Sequence, residues 1–372
     1  MTLVWKELRG GNEVKVGLIT IVDDYNYGNR LQCYASKCIL EENGCQVVCF
    51  YTNRTIPYSV LSALTFLLTT FFCGLTQINN KFRKLLAFKS FDRANFTMSD
   101  ALVKGKLNVD DFDYFVVGSD QVWNPTWYQG NKSEVFLLTF ARNNRKVCMA
   151  PSFGISELPE TWKPHFKKHL NTFPYLSVRE AEGAKIIREL TGREAEIVID
   201  PTLMLDAEDW RKIERTSPAR DDGRNYILKL FLGRQSEENT NYINEIAQIY
   251  NYQILELMEP KQSDVFAAGP GEFIDLVDHA KLICTDSYHA CIFSILFNKP
   301  FLVFERYAIT TTMNFRIHTL LRTLDLERRL PGRVKAEDIF EHDYAHSYEL
   351  LDKEREKARN FLRKSLNIDH TS

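Results

Sequence analysis

Residues 282–306 constrain the fold more than any other part of the chain. An apolar run ends at Thr285, and Asp286 and Ser287 are residues typical of a helix N-cap. Apolar residues then recur at helical spacing until a proline ends the pattern, and a second apolar run follows. The stretch therefore predicts a strand, a helix and a strand, which is the repeating unit of a parallel α/β sheet.

His289 falls in the first turn of this predicted helix. Unpaired backbone N–H groups and the positive end of the helix dipole favour an anion at such a position. The sequence thus predicts a proton donor beside an anion site. The same dipole disfavours an imidazolium, so we expect His289 to resist protonation until a bound anion reverses this effect.

Length and charge limit the classes of function. A chain of 372 residues is too long for one typical core and suggests two domains. Its 47 basic and 49 acidic residues show no bias toward nucleic acid, so no nucleic-acid partner is predicted. An anionic ligand must then be held by a local group of residues.

The eight cysteines form no Cys-x-x-Cys pair, and most lie in apolar segments. We interpret them as reduced thiols rather than zinc ligands or disulfides. The histidines show no metal-ligand spacing, so no metal is predicted. Residues 1–11 lack an apolar signal core, which predicts a cytoplasmic protein.

Two series of alternating strands and helices predict the domain organisation. In the first series, four predicted strands end in polar loops, and parallel pairing would bring these loops to one edge of a sheet. We predict an N-terminal Rossmann-like domain over 1–206, a polar linker over 207–224, a C-terminal Rossmann-like domain over 225–346, and a terminal helix and tail over 347–372. Two doubly wound domains facing a cleft resemble the GT-B architecture of glycosyltransferases.

Residues 55–80 form a charge-free, largely apolar insertion in the first domain. A bilayer span, a buried helical hairpin and a surface patch are all open interpretations. The patch would dock on a membrane or a lipid-linked substrate, helped by the basic residues Lys81, Arg83, Lys84 and Lys89. That alternative places the protein at the inner face of the membrane.

Five short strings occur in a fixed order along the chain. They are residues 26–32 (NYGNRLQ), 118–124 (GSDQVWN), 177–180 (SVRE), 200–203 (DPTL) and 285–289 (TDSYH). Together they resemble the polysaccharide pyruvyl transferase family from about residue 14 to 325. Segment 52–110 and the last forty or so residues carry no motif that matches.

The resemblance implies transfer of a pyruvyl group from phosphoenolpyruvate to two hydroxyls of a sugar, which forms a pyruvate ketal in surface polysaccharide biosynthesis. Phosphoenolpyruvate is then the donor substrate, and no cofactor is implied. The acceptor is a saccharide, either lipid-linked or nucleotide-linked. This chemistry requires a positioned acid and cationic groups around the donor.

The donor side is assigned to four residues. His289 is the candidate acid, and Arg179 matches the family position that contacts the donor. Ser287 and Arg306 would complete the anion pocket. Alternatively, His289 makes a capping hydrogen bond, and Arg179 forms a salt bridge with Glu180 or another carboxylate.

The acceptor side is assigned to residues of the first domain. Asp120 would orient or deprotonate an acceptor hydroxyl, with Ser119 beside it, and Trp123 would stack on a sugar ring. Asn26 and Asn29 would line the same side. Alternatively, Asp120 caps a turn, Trp123 belongs to the core, and the asparagines only form a turn.

Two other classes of function stay open. One is a GT-B glycosyltransferase that uses a nucleotide sugar, and the other is a non-catalytic scaffold of a polysaccharide-assembly complex.

Asp286 is expected to cap its helix rather than to act as a base.

Overall fold

The computed structural model describes residues 13–22, 25–52, 75–220, 223–305, 315–330 and 332–368. Most of the apolar insertion predicted at 55–80 lies outside these residues, and so does Arg306. Within the described part of the chain, no helix is long and apolar enough to cross a membrane.

A five-stranded parallel sheet forms the centre of the first domain, in the strand order β3-β2-β1-β4-β5. Its strands are β1 (Val14–Ile19), β2 (Cys45–Phe50), β3 (Met98–Ser99), β4 (Tyr114–Val117) and β5 (Lys146–Cys148). Two further strands, β6 (Ser177–Val178) and β7 (Glu196–Ile197), form a separate parallel pair. The apolar, β-branched residues of β1 and β4 suit a sheet that is covered on both faces.

Five of the described helices lie between these strands, and a short sixth helix begins segment 207–224. They are α1 (Tyr27–Glu42), α2 (Leu75–Asn95), α3 (Lys132–Phe136), α4 (Lys163–Leu170), α5 (Ala181–Thr191) and α6 (Ala207–Arg211). Helix α1 begins at the N-cap Asn26, whose side chain accepts a hydrogen bond from the Asn29 N–H at 3.2 Å.

The second domain has a four-stranded parallel sheet in the order β11-β10-β8-β9. Its strands are β8 (Tyr226–Leu230), β9 (Gln253–Glu256), β10 (Leu282–Thr285) and β11 (Phe301–Val303). Its helices are α7 (Glu237–Ile249), α8 (Ser263–Phe266), α9 (Pro270–Asp278), α10 (Tyr288–Leu296) and α11 (Phe315–Thr323). Every residue of α10 is buried, as expected for an almost wholly apolar helix at the centre of a domain.

The prediction of an α/β fold with two Rossmann-like parallel sheets in a GT-B-like arrangement is confirmed. The strand, helix and strand predicted within 282–306 are β10, α10 and β11. Because all the strand pairs of the two sheets are parallel, each sheet directs the loops after its strands toward one edge.

Two segments connect the domains through packing. Within 207–224, Trp210 of α6 is fully buried between Tyr34 and Phe293, with ring centroids at 5.7 and 4.9 Å. The last helix, α12 (Ala345–Ser365), packs back against the first domain. There, Arg355 donates to the Leu203 and Leu205 carbonyls at 2.7 and 2.9 Å.

Replacing Trp210 by alanine should lower the free energy of unfolding by about 3–5 kcal/mol, because a fully buried indole that contacts both domains leaves a cavity. Urea denaturation measures the change. Ile249→Ala is the control, since Ile249 is 75% exposed and its loss should change stability by less than about 0.5 kcal/mol. Equal unfolding midpoints for the two variants would contradict this interpretation.

Candidate active site

A cavity of about 750 Å³ lies between the two sheets, and residues of both domains line it. The loops after β1, β4 and β10 reach it, as expected for ligand sites at the carboxyl ends of parallel strands. Among its lining residues are Asn26, Asn29, Asp120, Gln121 and Trp127 from the first domain, and Ser287, Tyr288, His289 and Arg316 from the second.

His289, the second residue of α10, presents its ring to the first domain. The side chain is 11% exposed, and Nε2 lies 3.8 Å from Oδ2 of Asp200. Nε2 makes no hydrogen bond with any residue that the structure describes. Burial lowers the pKa of His289, and the opposing effects of Asp200 and Asp120 are smaller. The direction of this shift agrees with the expected resistance to protonation, and burial is its largest cause.

Gly28 allows this placement of the histidine. A Cβ atom built on Gly28 would lie 2.1 Å from Nδ1 of His289, far inside contact distance. The imidazole therefore packs directly against the backbone of the first turn of α1. A helix of one domain thus fixes the position of the candidate acid of the other.

Asp120 lies beside His289 on the cavity wall and has a left-handed backbone, with φ of 62°. Its carboxylate accepts hydrogen bonds from the Asn29 side-chain amide and, at 2.8 Å, from the Gln121 N–H. Nη2 of Arg179 lies 3.5 Å from Oδ1. The carboxylate is therefore oriented by two hydrogen-bond donors and by the nearby positive charge of Arg179.

Arg179 is buried and paired with carboxylates. Its Nη1 donates to Oδ2 of Asp200 at 2.5 Å, and its Nε lies 3.8 Å from Glu180. The Tyr288 ring covers the guanidinium, with the central carbon 4.5 Å from the ring centroid. The salt-bridge alternative is thus present in the structure, and Arg179 lies behind the cavity wall. Its Nε and Nη2 have no hydrogen-bond acceptor among the described residues.

Asp200 is the centre of this charge cluster, and sequence reasoning did not assign it a role. It is fully buried, and Thr202 donates to its Oδ1 from N and Oγ1 at 3.0 and 2.7 Å. Burial favours its neutral form, but Arg179 and the other donors outweigh burial and lower the pKa of Asp200 to about 2. Its place in the 200–203 string, after a strand, was the available signal.

Ser119 belongs to the same cluster rather than to the cavity wall. Its side chain is fully buried, and Oγ lies 2.8 Å from the Ala150 carbonyl and 3.1 Å from Oδ2 of Asp200. Ser119 is therefore not placed to bind a substrate in the cavity as the sequence predicted, because its hydroxyl contacts Asp200 instead.

Trp123 is also placed differently from its expected role at the acceptor. It is fully buried, its indole N–H donates to the Phe136 carbonyl at 3.1 Å, and its ring packs against Phe153 and Phe173. The core alternative is therefore the one observed, and no face of Trp123 is open to a sugar. Trp127, four residues later, is 52% exposed and lines the cavity.

The remaining predicted residues divide between wall and scaffold. Asn26 and Asn29 line the cavity while also forming the cap of α1 and the contact with Asp120. Ser287 is the N-cap of α10 without a capping hydrogen bond from its side chain, and it lines the cavity. Asp286 does not cap α10, because its carboxylate accepts two backbone N–H groups of the loop after β8, at 2.7 and 2.8 Å.

Arg316 is a cavity residue that no sequence signal indicated. It is the second residue of α11 and is 6% exposed. Its guanidinium carbon lies 5.9 Å from the centroid of the Tyr288 ring. It brings a positive charge to the wall that carries His289 and Asp120. Arg316 lies in an amphipathic helix and outside the five strings, so the sequence does not predict that it lines the cavity.

A possible metal site lies away from the cavity. Glu214, Asp275 and His279 place oxygen and nitrogen atoms within 4.8 Å of one another. Arg220 already occupies this group, donating to Asp275 and lying 2.8 Å from Nδ1 of His279. These contacts explain the cluster as a structural ion pair.

A family model for polysaccharide pyruvyl transferases matches residues 26–306, more than half of the chain. The chain belongs to the polysaccharide pyruvyl transferase family. The match includes His289, Asp120, Arg179 and Asp200, so the cluster described above lies inside the family region. No curated protein matches the chain.

Solved structures of other enzymes resemble this pyruvyl transferase family member distantly. A glycosyltransferase from Rickettsia africae shares 10% identity, with a TM-score of 0.48, over 95% of this chain and 94% of that chain. UDP-GlcNAc 2-epimerases from Neisseria meningitidis and Methanocaldococcus jannaschii share 10% and 14% identity, with TM-scores of 0.44 and 0.45. They cover 96% and 94% of this chain and 100% of theirs. Identities this low carry no function from these enzymes to this chain.

A double-mutant cycle tests the contact between Gly28 and His289. Gly28→Ala should lower the free energy of unfolding by about 1–3 kcal/mol, because the added methyl group displaces the imidazole. In a His289→Ala background the same change should cost much less, since the clashing ring is gone. Additive effects of the two substitutions on urea unfolding would show that the ring and the glycine are not in contact.

Proposed function

We propose that this protein transfers the pyruvyl group of phosphoenolpyruvate to two hydroxyls of a sugar, forming a pyruvate ketal. One observation carries the proposal: His289 of the second domain and Asp120 of the first line the same cavity, so an acid and a base face one ligand. Family membership supports it. The acceptor is then a saccharide of a surface polysaccharide, and the protein acts in the cytoplasm, as the sequence predicts.

The donor brings a phosphate and a carboxylate, which need positive charge and hydrogen-bond donors. Arg316 supplies charge at the cavity wall, and Nε2 of His289 is a buried nitrogen that needs a partner. Arg179 adds charge from behind the Tyr288 ring, with Nε and Nη2 not used in hydrogen bonds to described residues. We assign these three residues to the donor, with Ser287 beside them.

The reaction then follows from these positions. Protonated His289 delivers a proton to C3 of phosphoenolpyruvate, which makes C2 electrophilic. A sugar hydroxyl attacks C2 while Asp120 accepts its proton, the C2–O bond to phosphate breaks, and a neighbouring hydroxyl closes the ketal. Of the two hydroxyl protons, one replaces the proton lost by His289 and the other leaves with phosphate.

Burial lowers the pKa of His289, so its imidazole loses its proton at a lower pH in the free enzyme than an imidazole in water does. The negative charges of the donor act in the opposite direction once it is bound. Protonation of His289 is therefore coupled to donor binding. Asp200, fixed 3.8 Å from Nε2, keeps a negative charge beside the imidazole in both states.

The experiment is incubation with phosphoenolpyruvate and a panel of lipid-linked and nucleotide-linked sugars. The wild-type protein should release phosphate only when an acceptor is present, and the acceptor should gain the mass of a pyruvate ketal. His289→Ala should lower the rate by about 10²–10⁴-fold, the usual contribution of a general acid. His346→Ala is the matched control, because that side chain is 65% exposed on α12 and should leave the rate unchanged.

Full activity of His289→Ala would contradict the assignment of the acid. Sugar transfer from a nucleotide sugar, with no phosphate released from phosphoenolpyruvate by any acceptor, would replace the proposal with a glycosyltransferase function.

A further inference from the structure

We propose that the indole of Trp127 is the platform on which the acceptor sugar stacks, a role that rests on the proposed function. Trp127 is 52% exposed and lines the cavity that also holds Asp120 and His289. Trp123 and Trp210 are fully buried, so neither offers a ring face to a ligand.

The exposed indole is held by a hydrogen-bonded scaffold. Trp127 ends the short 3₁₀ turn Pro125–Trp127, which is capped by Asn124. Oδ1 of Asn124 accepts hydrogen bonds from the Thr126 N–H and hydroxyl, at 3.0 and 2.6 Å. The indole N–H donates to Oε1 of Gln121 at 3.2 Å, and Nδ2 of Asn124 donates to the same oxygen at 2.8 Å.

The position of the Gln121 side chain depends on the absence of a side chain at Gly154. Gly154 has φ of 63°, and a Cβ atom at this position would lie 2.1 Å from Oε1 of Gln121. The glycine therefore leaves room for the amide that receives the indole N–H. Because its only polar group is already bonded inside the protein, Trp127 offers the cavity an apolar ring face.

The Trp127 indole is linked to the proposed base through Gln121, which accepts the indole N–H and directly follows Asp120 in the chain. Tyr25, 45% exposed, and Gln129 line the same cavity. Aromatic faces among neutral amides suit a pyranose ring, which has an apolar C–H face and hydroxyls at its edge. A ring stacked on Trp127 would direct its edge hydroxyls toward Asp120, where the reaction needs two of them.

Steady-state kinetics give the first test. Trp127→Ala should raise the acceptor KM by about tenfold, equivalent to about 1.4 kcal/mol of lost contact, and leave the donor KM unchanged. Trp127→Phe keeps an aromatic face and should restore most of the affinity. Tyr175→Ala is the matched control, because Tyr175 is 38% exposed and lies outside the cavity. A wild-type acceptor KM in Trp127→Ala would overturn the proposal.

A binding measurement without donor separates this proposal from the proposed function. Methyl β-galactopyranoside, methyl β-glucopyranoside and methyl β-mannopyranoside are tested by saturation-transfer NMR. At least one should receive saturation at its ring C–H protons from wild type and lose it in Trp127→Ala, with the melting temperature of the variant unchanged. That result supports the platform even if phosphoenolpyruvate proves inactive, which would refute only the proposed function. Equal saturation in both proteins, or none in wild type, would overturn the platform.

Discussion

The ion pair between Arg179 and Asp200 is the interaction on which the rest of the site depends. It joins a guanidinium and a carboxylate at 2.5 Å in a fully buried position, and it places Asp120 and Glu180 within 3.5 and 3.8 Å of the same guanidinium. Arg179 thus lies among three buried carboxylates, Arg316 adds positive charge at Glu180, and neutral donors supply further hydrogen bonds. The negative charges of Asp200 and Asp120 favour a proton on His289, but burial of the imidazole outweighs them. An anionic donor in this place needs further positive charge, and Arg316 on the wall provides it.

The site exists only where the two domains meet. His289 packs on the backbone of Gly28, and the neighbouring Tyr27 joins the domains a second time. Its hydroxyl donates to the Ala268 carbonyl at 2.9 Å, and its ring stacks on Phe273 with centroids 4.8 Å apart. The distance between the proposed acid and base is therefore set by interdomain packing together with the loop after β4 that carries Asp120. Any relative movement of the domains would change that distance directly.

The sequence predicted the fold and part of the site because both follow from local patterns. Strand-helix alternation defines a parallel sheet, and parallel sheets collect the loops after their strands, so His289, Asp120 and Asn29 could be placed near one another. Pairings across the chain carry no such pattern. Nothing local links Arg179 to Asp200, and spacing alone does not tell which of two nearby tryptophans is buried, although Trp127 rather than Trp123 faces the cavity.

In the proposed reaction, His289 becomes an acid only when an anionic donor is bound. An NMR titration of the His289 imidazole, with and without phosphoenolpyruvate, tests it most directly. The free protein should show a pKa below the ordinary value of 6.5, because burial disfavours the charged ring. Saturating phosphoenolpyruvate should raise that pKa, since the bound phosphate and carboxylate stabilise the imidazolium. A His289 pKa that stays unchanged when the ligand binds would contradict the account.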